Sequence, residues 1–270
     1  MNCVMKYPGA KWRAAPWIAS HFPAHTVYLE PFFGSGAVFF AKEPAPFETV
    51  NDLDKNVFNF FKVAREHPQE LARLVTLTPY SRTEFESVEE PTAGAELQLT
   101  DDPIENARRF LVRCSQGFGS KLADRVGWWN TKSSAGPIQP NVWSGLPESI
   151  IQAAERLKHA QIECRPALDL IRAYNAPDCL IYADPPYPFA TRRGRIYRHE
   201  MGGEKEHEEL LKVLLQHKGM VVLSGYDNDL YNDTLQGWCK DTARAMANHA
   251  KPRTETIWMN FQNEEQMKMF

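Results

Sequence analysis

Short apolar runs recur along the chain, each closed by an acid, a glycine or a proline, and longer stretches of helical periodicity separate them. The run 26–30 (Thr-Val-Tyr-Leu-Glu) reads as a strand, as do 49–54, 161–164, 179–183 and 220–224. The alternating segment 253–261 predicts a late strand, pairing antiparallel at a sheet edge with a partner near 239–248. Between these runs lie helical patterns. One begins at 37–40, and a second covers 56–66, with Val57, Phe60, Phe61 and Ala64 on one face and Pro68 closing it. A third opens at Asp101 or Asp102, with Pro103 in its first turn, and runs to about Gln116. Others cover 148–160, 167–174 and 204–218, the last ended by Gly219. Strand and helix in alternation predict an α/β protein built on a largely parallel sheet. Residues 78–102 break the rhythm and read as a link with short helices.

The run 179–183 ends in Asp184-Pro185-Pro186-Tyr187. Neither proline has an N–H, and both fix φ, so the strand must stop there. The result is a rigid corner at the carboxyl end of a strand, where open α/β sheets place their ligands. One carboxylate, carbonyls without a competing amide and a flat ring suit an amino group on a planar ring. The alternative reading of the tetrapeptide is a Pro-rich turn.

Three further stretches carry candidate chemistry. In 5–13, Gly9 follows Pro8 in a tight turn with Lys11 just beyond, a set able to hold a carboxylate or simply to form an N-terminal loop. Pro31-Phe32-Phe33-Gly34-Ser35-Gly36 joins a strand to a helix, bringing backbone amides toward a ligand. It lacks the Gly-Lys-Ser/Thr of a P-loop and the third glycine of a dinucleotide fingerprint. The strand at 49–54 ends in Asp52 and Asp54, about 20 residues on, where nucleotide-binding folds grip ribose hydroxyls. Asp52 is the preferred ribose ligand, since Asp54 also suits the N-terminus of the next helix.

Composition narrows the class. At 270 residues the chain holds one large α/β domain, or a catalytic domain with an inserted module. An apolar share of 43% with 24% charged residues describes an ordinary globular protein. No apolar run is long enough for a membrane span, no signal peptide opens the chain, and no membrane association is expected. Five scattered cysteines without a CxxC pair argue for a reducing cytoplasm and against disulfides and zinc; no metal is expected. A net charge of −3 means that any nucleic-acid surface must be local. Between 105 and 145 six Lys/Arg face two acids, interleaved with Phe118, Trp128, Trp129 and Trp143. That mixture suits phosphates and base edges, or equally a solvated face over a small Trp core. Residues 191–198 hold four arginines directly after the Asp-Pro-Pro-Tyr corner, including Arg192 and Arg195.

Taken together, Tyr7-Pro8-Gly9-Ala10-Lys11, the 28–36 motif, Asn51-Asp52-Leu53-Asp54 and Ala183-Asp184-Pro185-Pro186-Tyr187 resemble the Dam-type (alpha-group) DNA adenine-N6 methyltransferases. The resemblance covers 1–70 and 160–262 well and the middle poorly. It implies a Rossmann-like methyltransferase sheet (1–70 and 160–270) interrupted by a mainly helical target-recognition domain (71–159). It also implies S-adenosylmethionine as methyl donor and double-stranded DNA as substrate. By position, Tyr7 and Lys11 would flank the methionine part of the donor, with Glu30 and Phe33-Gly34-Ser35-Gly36 beneath it and Asp52 on the ribose. Gly9, Ala10, Phe32 and Leu53 would complete that site. Asp184, Pro185, Pro186 and Tyr187 would receive a flipped-out adenine, Tyr187 stacking on its ring. Arg109, Arg113, Lys121, Arg125, Lys132, Arg192 and Arg195 are the candidates for DNA contact. Relatives often place an acid shortly after the third strand for the cofactor adenine; here Arg165-Pro166-Ala167 stands there and the first acid is Asp169. The insert lacks the Phe-Asn-x-Pro-x-Gly arrangement associated with GATC-specific relatives. A cytoplasmic monomer is expected, a cognate restriction endonuclease being one conceivable partner. The alternatives are an inactive DNA-binding protein on the same fold, or an amino-group methyltransferase acting on RNA or protein.

Overall fold

The apolar runs form one seven-stranded sheet of order β3-β2-β1-β4-β5-β7-β6. Strands β1 (Val27–Glu30), β2 (Phe47–Asn51), β3 (Ala160–Glu163), β4 (Cys179–Ala183) and β5 (Met220–Gly225) are parallel. Strands β6 (Cys239–Ala245) and β7 (Arg253–Met259) pair antiparallel, as expected, but β7 lies between β5 and β6, so β6 is the edge. Burial shows why: Ile257, Trp258 and Met259 are all buried, whereas residues 239–243 of β6 alternate half-buried and exposed. The computed structural model describes residues 3–88, 100–120, 122, 126–130, 137–191, 194–245 and 253–262.

Side-chain alternation along the strands divides the core into two layers. Tyr28, Val50, Leu180, Tyr182, Val222 and Ile257 face one side. There they meet α1 (Ala15–Ser20), α2 (Ala37–Ala41), α3 (Lys55–Glu66) and α6 (Pro103–Gln116). Leu29, Ile181, Ala183, Val221, Leu223 and Trp258 face the other, against α9 (Ala167–Ala173), α10 (Glu204–Leu215) and α11 (Asp229–Thr234). Asp54 caps α3 by accepting the Asn56 N–H, and Asp102 caps α6 by accepting that of Ile104.

Pro68 does not merely end α3. It opens α4 (Pro68–Leu77), because proline's fixed φ suits a first helical position. With α5 (Arg82–Val88), α6, α7 (Gln139–Ser144) and α8 (Leu146–Leu157), α4 belongs to the helical segment that the chain inserts between β2 and β3. The boundary expected at residue 70 therefore falls inside a helix. Among the described residues these helices share the sheet's core: Phe110, Leu111, Ile150 and Leu157 join the layer containing Phe60 and Phe61. Among the described residues no helix is long and apolar enough to cross a membrane.

Candidate active site

Strand order reverses between β1 and β4, and the carboxyl ends of the strands around that point open onto a cleft of about 420 Å³. Glu30 at the end of β1, Asp52 after β2 and Asp184 after β4 all line it. Buried Asn51 ties the loops together. Its amide donates to the Pro31 carbonyl (2.9 Å) and the Arg165 carbonyl (3.0 Å), and its side-chain oxygen accepts the Arg165 N–H (2.9 Å). The loops after β1, β2 and β3 are thus fixed by one side chain.

The turn after β1 needs its glycines. Gly34 has φ 50°, and a Cβ there would press on the Tyr7 ring at 3.1 Å. Gly36 has φ 68°, and its Cβ would strike the rings of Phe33 and Phe40 at 2.6 and 2.8 Å. In this conformation the Gly34 N–H donates to Asp52 Oδ2 (2.8 Å), while the Asp54 N–H donates to Asp52 Oδ1 (2.9 Å). Burial, with Asp54 nearby, pushes the Asp52 carboxyl up to about 7 against the pull of those two amides. Burial likewise raises Glu30 to about 8, opposed by the Tyr28 hydroxyl that donates to it (2.7 Å) and reinforced by Asp184.

At the Asp-Pro-Pro-Tyr corner the β4–β5 register pairs Ala183 with Leu223, so Asp184 falls beside Ser224. The Ser224 hydroxyl donates to Asp184 Oδ1 (2.9 Å) and is itself 3.1 Å from the Tyr182 hydroxyl. Lys11 Nζ lies 3.0 Å from Asp184 Oδ1 and 2.9 Å from Oδ2, and it also donates to the Gly9 carbonyl (2.9 Å). Burial works against its charge, but the carboxylates of Asp184 and Glu255 outweigh that and hold the ammonium above its usual range. Lys11, expected beside the methionine part of the donor, lines the cleft and is also paired with Asp184. Tyr187 is buried. Its hydroxyl donates to Glu255, Tyr226 packs against it in a T-shape (4.7 Å), and Lys11 Nζ sits 4.7 Å from its ring centre. Pro186 lines the cleft; Pro185 and Tyr187 are packed behind it.

Of the remaining cofactor candidates, Tyr7, Gly9, Ala10, Phe32, Phe33, Ser35 and Leu53 line the cleft, and Gly36 packs against Phe33 and Phe40. Beyond Leu53 the wall continues through Pro166, Ala167, Leu168 and Asp169. Sequence reasoning missed Tyr197, His199, Glu200 and Met201, which close the opposite wall. Tyr197 reaches over Gly9, where an added Cβ would lie 2.3 Å from its hydroxyl. Neither Ser224 nor Glu255 was singled out, and no local motif marks them. Among the described residues no cluster of metal-ligating side chains occurs.

The DNA-contact candidates fare unevenly. Lys121, Arg125, Lys132 and Arg192 lie outside the described residues. Arg195 is exposed. Arg109 is half-buried, its Nε donating to Glu105 (2.9 Å). Arg113 is only 1% exposed, because the phase of α6 turns it inward, so it presents no surface to a duplex. Trp143 is also core, its indole N–H donating to the Thr78 carbonyl (2.8 Å). Phe118, by contrast, is exposed and meets the edge of Trp129, over which Lys6 Nζ sits at 4.8 Å.

Residues 7–251 match the family described as D12 class N6 adenine-specific DNA methyltransferase. A DNA adenine methylase of Serratia marcescens is 21% identical over 245 residues, covering 86% of each chain. Two solved structures are similar at 11% identity. A putative methyltransferase of Escherichia coli has a TM-score of 0.33 over 92% of this chain and 81% of its own. A SAM-dependent methyltransferase of Agrobacterium tumefaciens has a TM-score of 0.37 over 93% and 61%. The family match takes in every strand that contributes an acid to the cleft, together with the Asp-Pro-Pro-Tyr corner, and on it the chain belongs to the D12 class of N6 adenine-specific DNA methyltransferases.

Proposed function

We propose that the chain transfers a methyl group from S-adenosylmethionine to the N6 amine of a flipped-out adenine at a specific site in duplex DNA. One observation carries this reading: Asp52 and Asp184 line the same cleft, an acid suited to ribose on one wall and the Asp-Pro-Pro corner on another. The volume, about 420 Å³, lies within the usual range for a cofactor site. Asp52 Oδ1 and Oδ2 each accept one backbone N–H and retain a lone pair for a hydroxyl. The donor set therefore fits a nucleoside. Bound there, the cofactor supplies an electrophilic methyl on a sulfonium.

The protein's own part is positional. A base within a duplex cannot reach the cleft and must leave the stack, at a cost of a few kcal/mol. Its exocyclic amine is a poor nucleophile because the lone pair is delocalised into the ring. Asp184, accepting one amine hydrogen while the Pro185 carbonyl accepts the other, favours a tetrahedral nitrogen and then holds the released proton. Ser224 and Lys11 keep the carboxylate aimed, and preorganisation of this kind supplies much of the acceleration. The inserted helices with the exposed Phe118, the Lys6–Trp129 pair and the basic residues of 105–145 other than the buried Arg113 serve target recognition. Arg195, exposed after the Asp-Pro-Pro-Tyr corner, is the further candidate for contact with the DNA backbone. Action on DNA fits a cytoplasmic location.

Labelled methyl transfer to duplex DNA, RNA and protein tests the reading. We expect label in duplex DNA alone, and modification-aware sequencing of a host expressing the gene should show N6-methyladenine at one recurring sequence. Label in RNA or protein but not in DNA would overturn it.

A further inference from the structure

Glu255 comes from the far end of the chain, yet it reaches the catalytic corner. Because β7 runs antiparallel to β5, its first residues sit at the carboxyl end of the sheet, and the register pairs Thr256 with Gly225, next to Ser224. Glu255 is 5% exposed, accepts the hydroxyl of Tyr187, and places Oε1 3.8 Å from Lys11 Nζ. Lys11 thus stands between two carboxylates, close on Asp184 at 2.9 Å and looser on Glu255. Burial and Asp184 push the Glu255 carboxyl up, while Lys11 and the Tyr187 hydroxyl pull it back.

This geometry bears on how Asp184 can work. Its two oxygens already accept Ser224 and Lys11, and a target amine must share them. A lone ammonium facing a single carboxylate would close onto it and compete with the amine. A second carboxylate behind Lys11 counters that pull. It also pins the Tyr187 ring through its hydroxyl.

We propose that Glu255 is a positioning residue for methyl transfer, holding Lys11 between two carboxylates and Tyr187 in a fixed orientation so that Asp184 stays open to the target amine. The role rests on the function proposed above. The test compares the full chain with Glu255→Gln, Glu255→Ala, Tyr187→Phe and the Tyr187→Phe/Glu255→Ala double variant. Single-turnover transfer to duplex DNA is measured at saturating S-adenosylmethionine, and donor affinity is measured separately by calorimetry. Glu255→Gln is nearly isosteric and keeps an oxygen for Tyr187, so it isolates the loss of charge even if the alanine variant fails to fold. We expect its transfer rate to fall about 10- to 100-fold, the scale of a small misplacement near the chemistry, with donor affinity within a few-fold. Glu255→Ala should fall further, and adding Tyr187→Phe to it should cost little more, as residues in one network behave. A wild-type rate in Glu255→Gln, a loss of donor affinity matching the loss of rate, or strictly additive effects would overturn the positioning role and leave the function standing. A wild-type chain that methylates no DNA would remove both.

Discussion

Asp52 and Asp184 share a cleft but differ in their surroundings, and the difference sets what each substitution should do. Asp52 accepts two backbone amides and, among the described residues, forms no ion pair with a cation, so burial dominates and pushes its carboxyl up to about 7. Raised above its unfolded value, this group favours the fold below about pH 4 and loses that contribution as pH rises through 7. Binding should run the other way, since the ionised carboxylate is the better acceptor of ribose hydroxyls. Donor affinity should tighten between pH 6 and 8 about the Asp52 value near 7, and Asp52→Asn should be weaker and flatter over the same range. Calorimetry reads both; an unchanged slope in the variant would assign the titration to Glu30, which is pushed to about 8. Asp52→Ala should raise the apparent KM for the donor about tenfold or more, as loss of a charged hydrogen bond predicts. Asp184→Ala should abolish transfer while leaving donor affinity within a few-fold, and substantial remaining turnover would remove Asp184 from its role.

At the scale of elements, the join between the insert and the sheet runs through a buried ion cluster. Glu48 on β2 accepts Lys42 and both terminal nitrogens of Arg156 on α8, with Lys42 and Glu48 side chains 2% and 1% exposed. Breaking such a cluster strands charge inside the protein, at about 3–5 kcal/mol. Glu48→Ala should therefore lower the denaturant midpoint strongly, and a shift of under 1 kcal/mol would mean that the two cations find water. The glycine turn is a second weak point. Gly36→Ala combines φ 68° with ring contacts at 2.6 and 2.8 Å, so it should destabilise the chain and weaken donor binding together. Circular dichroism melts alongside calorimetry would show whether the two losses travel together.

At the scale of the whole molecule, the proposed function assigns target choice and chemistry to different parts of the chain. Grafting residues 105–145 into a relative of known target should move the recipient's methylated sequence. A recipient that kept its activity and its original target would shift the determinants to 192–198. Lys132→Ala should weaken binding to all duplexes alike and reduce the salt slope by about one unit. The elements of this molecule could be read locally, because strand, turn and cap each depend on neighbouring residues. The strands, a cap at Asp101 or Asp102 and the place of Asp54 at a helix start were all legible. So was the family, because its motifs are contiguous. What needed the tertiary structure was everything set by strand order and helix phase. Arg113 looked available to DNA until the phase of α6 buried it. Lys11 lines the cleft as expected, but its pairing with Asp184, 173 residues away, exists only in the folded chain. Glu255 carries no local signal, and only the antiparallel insertion of β7 beside β5 brings it to Tyr187. Charge pairing inside a protein depends on which ends of the sheet coincide, and nothing local along the chain encodes that.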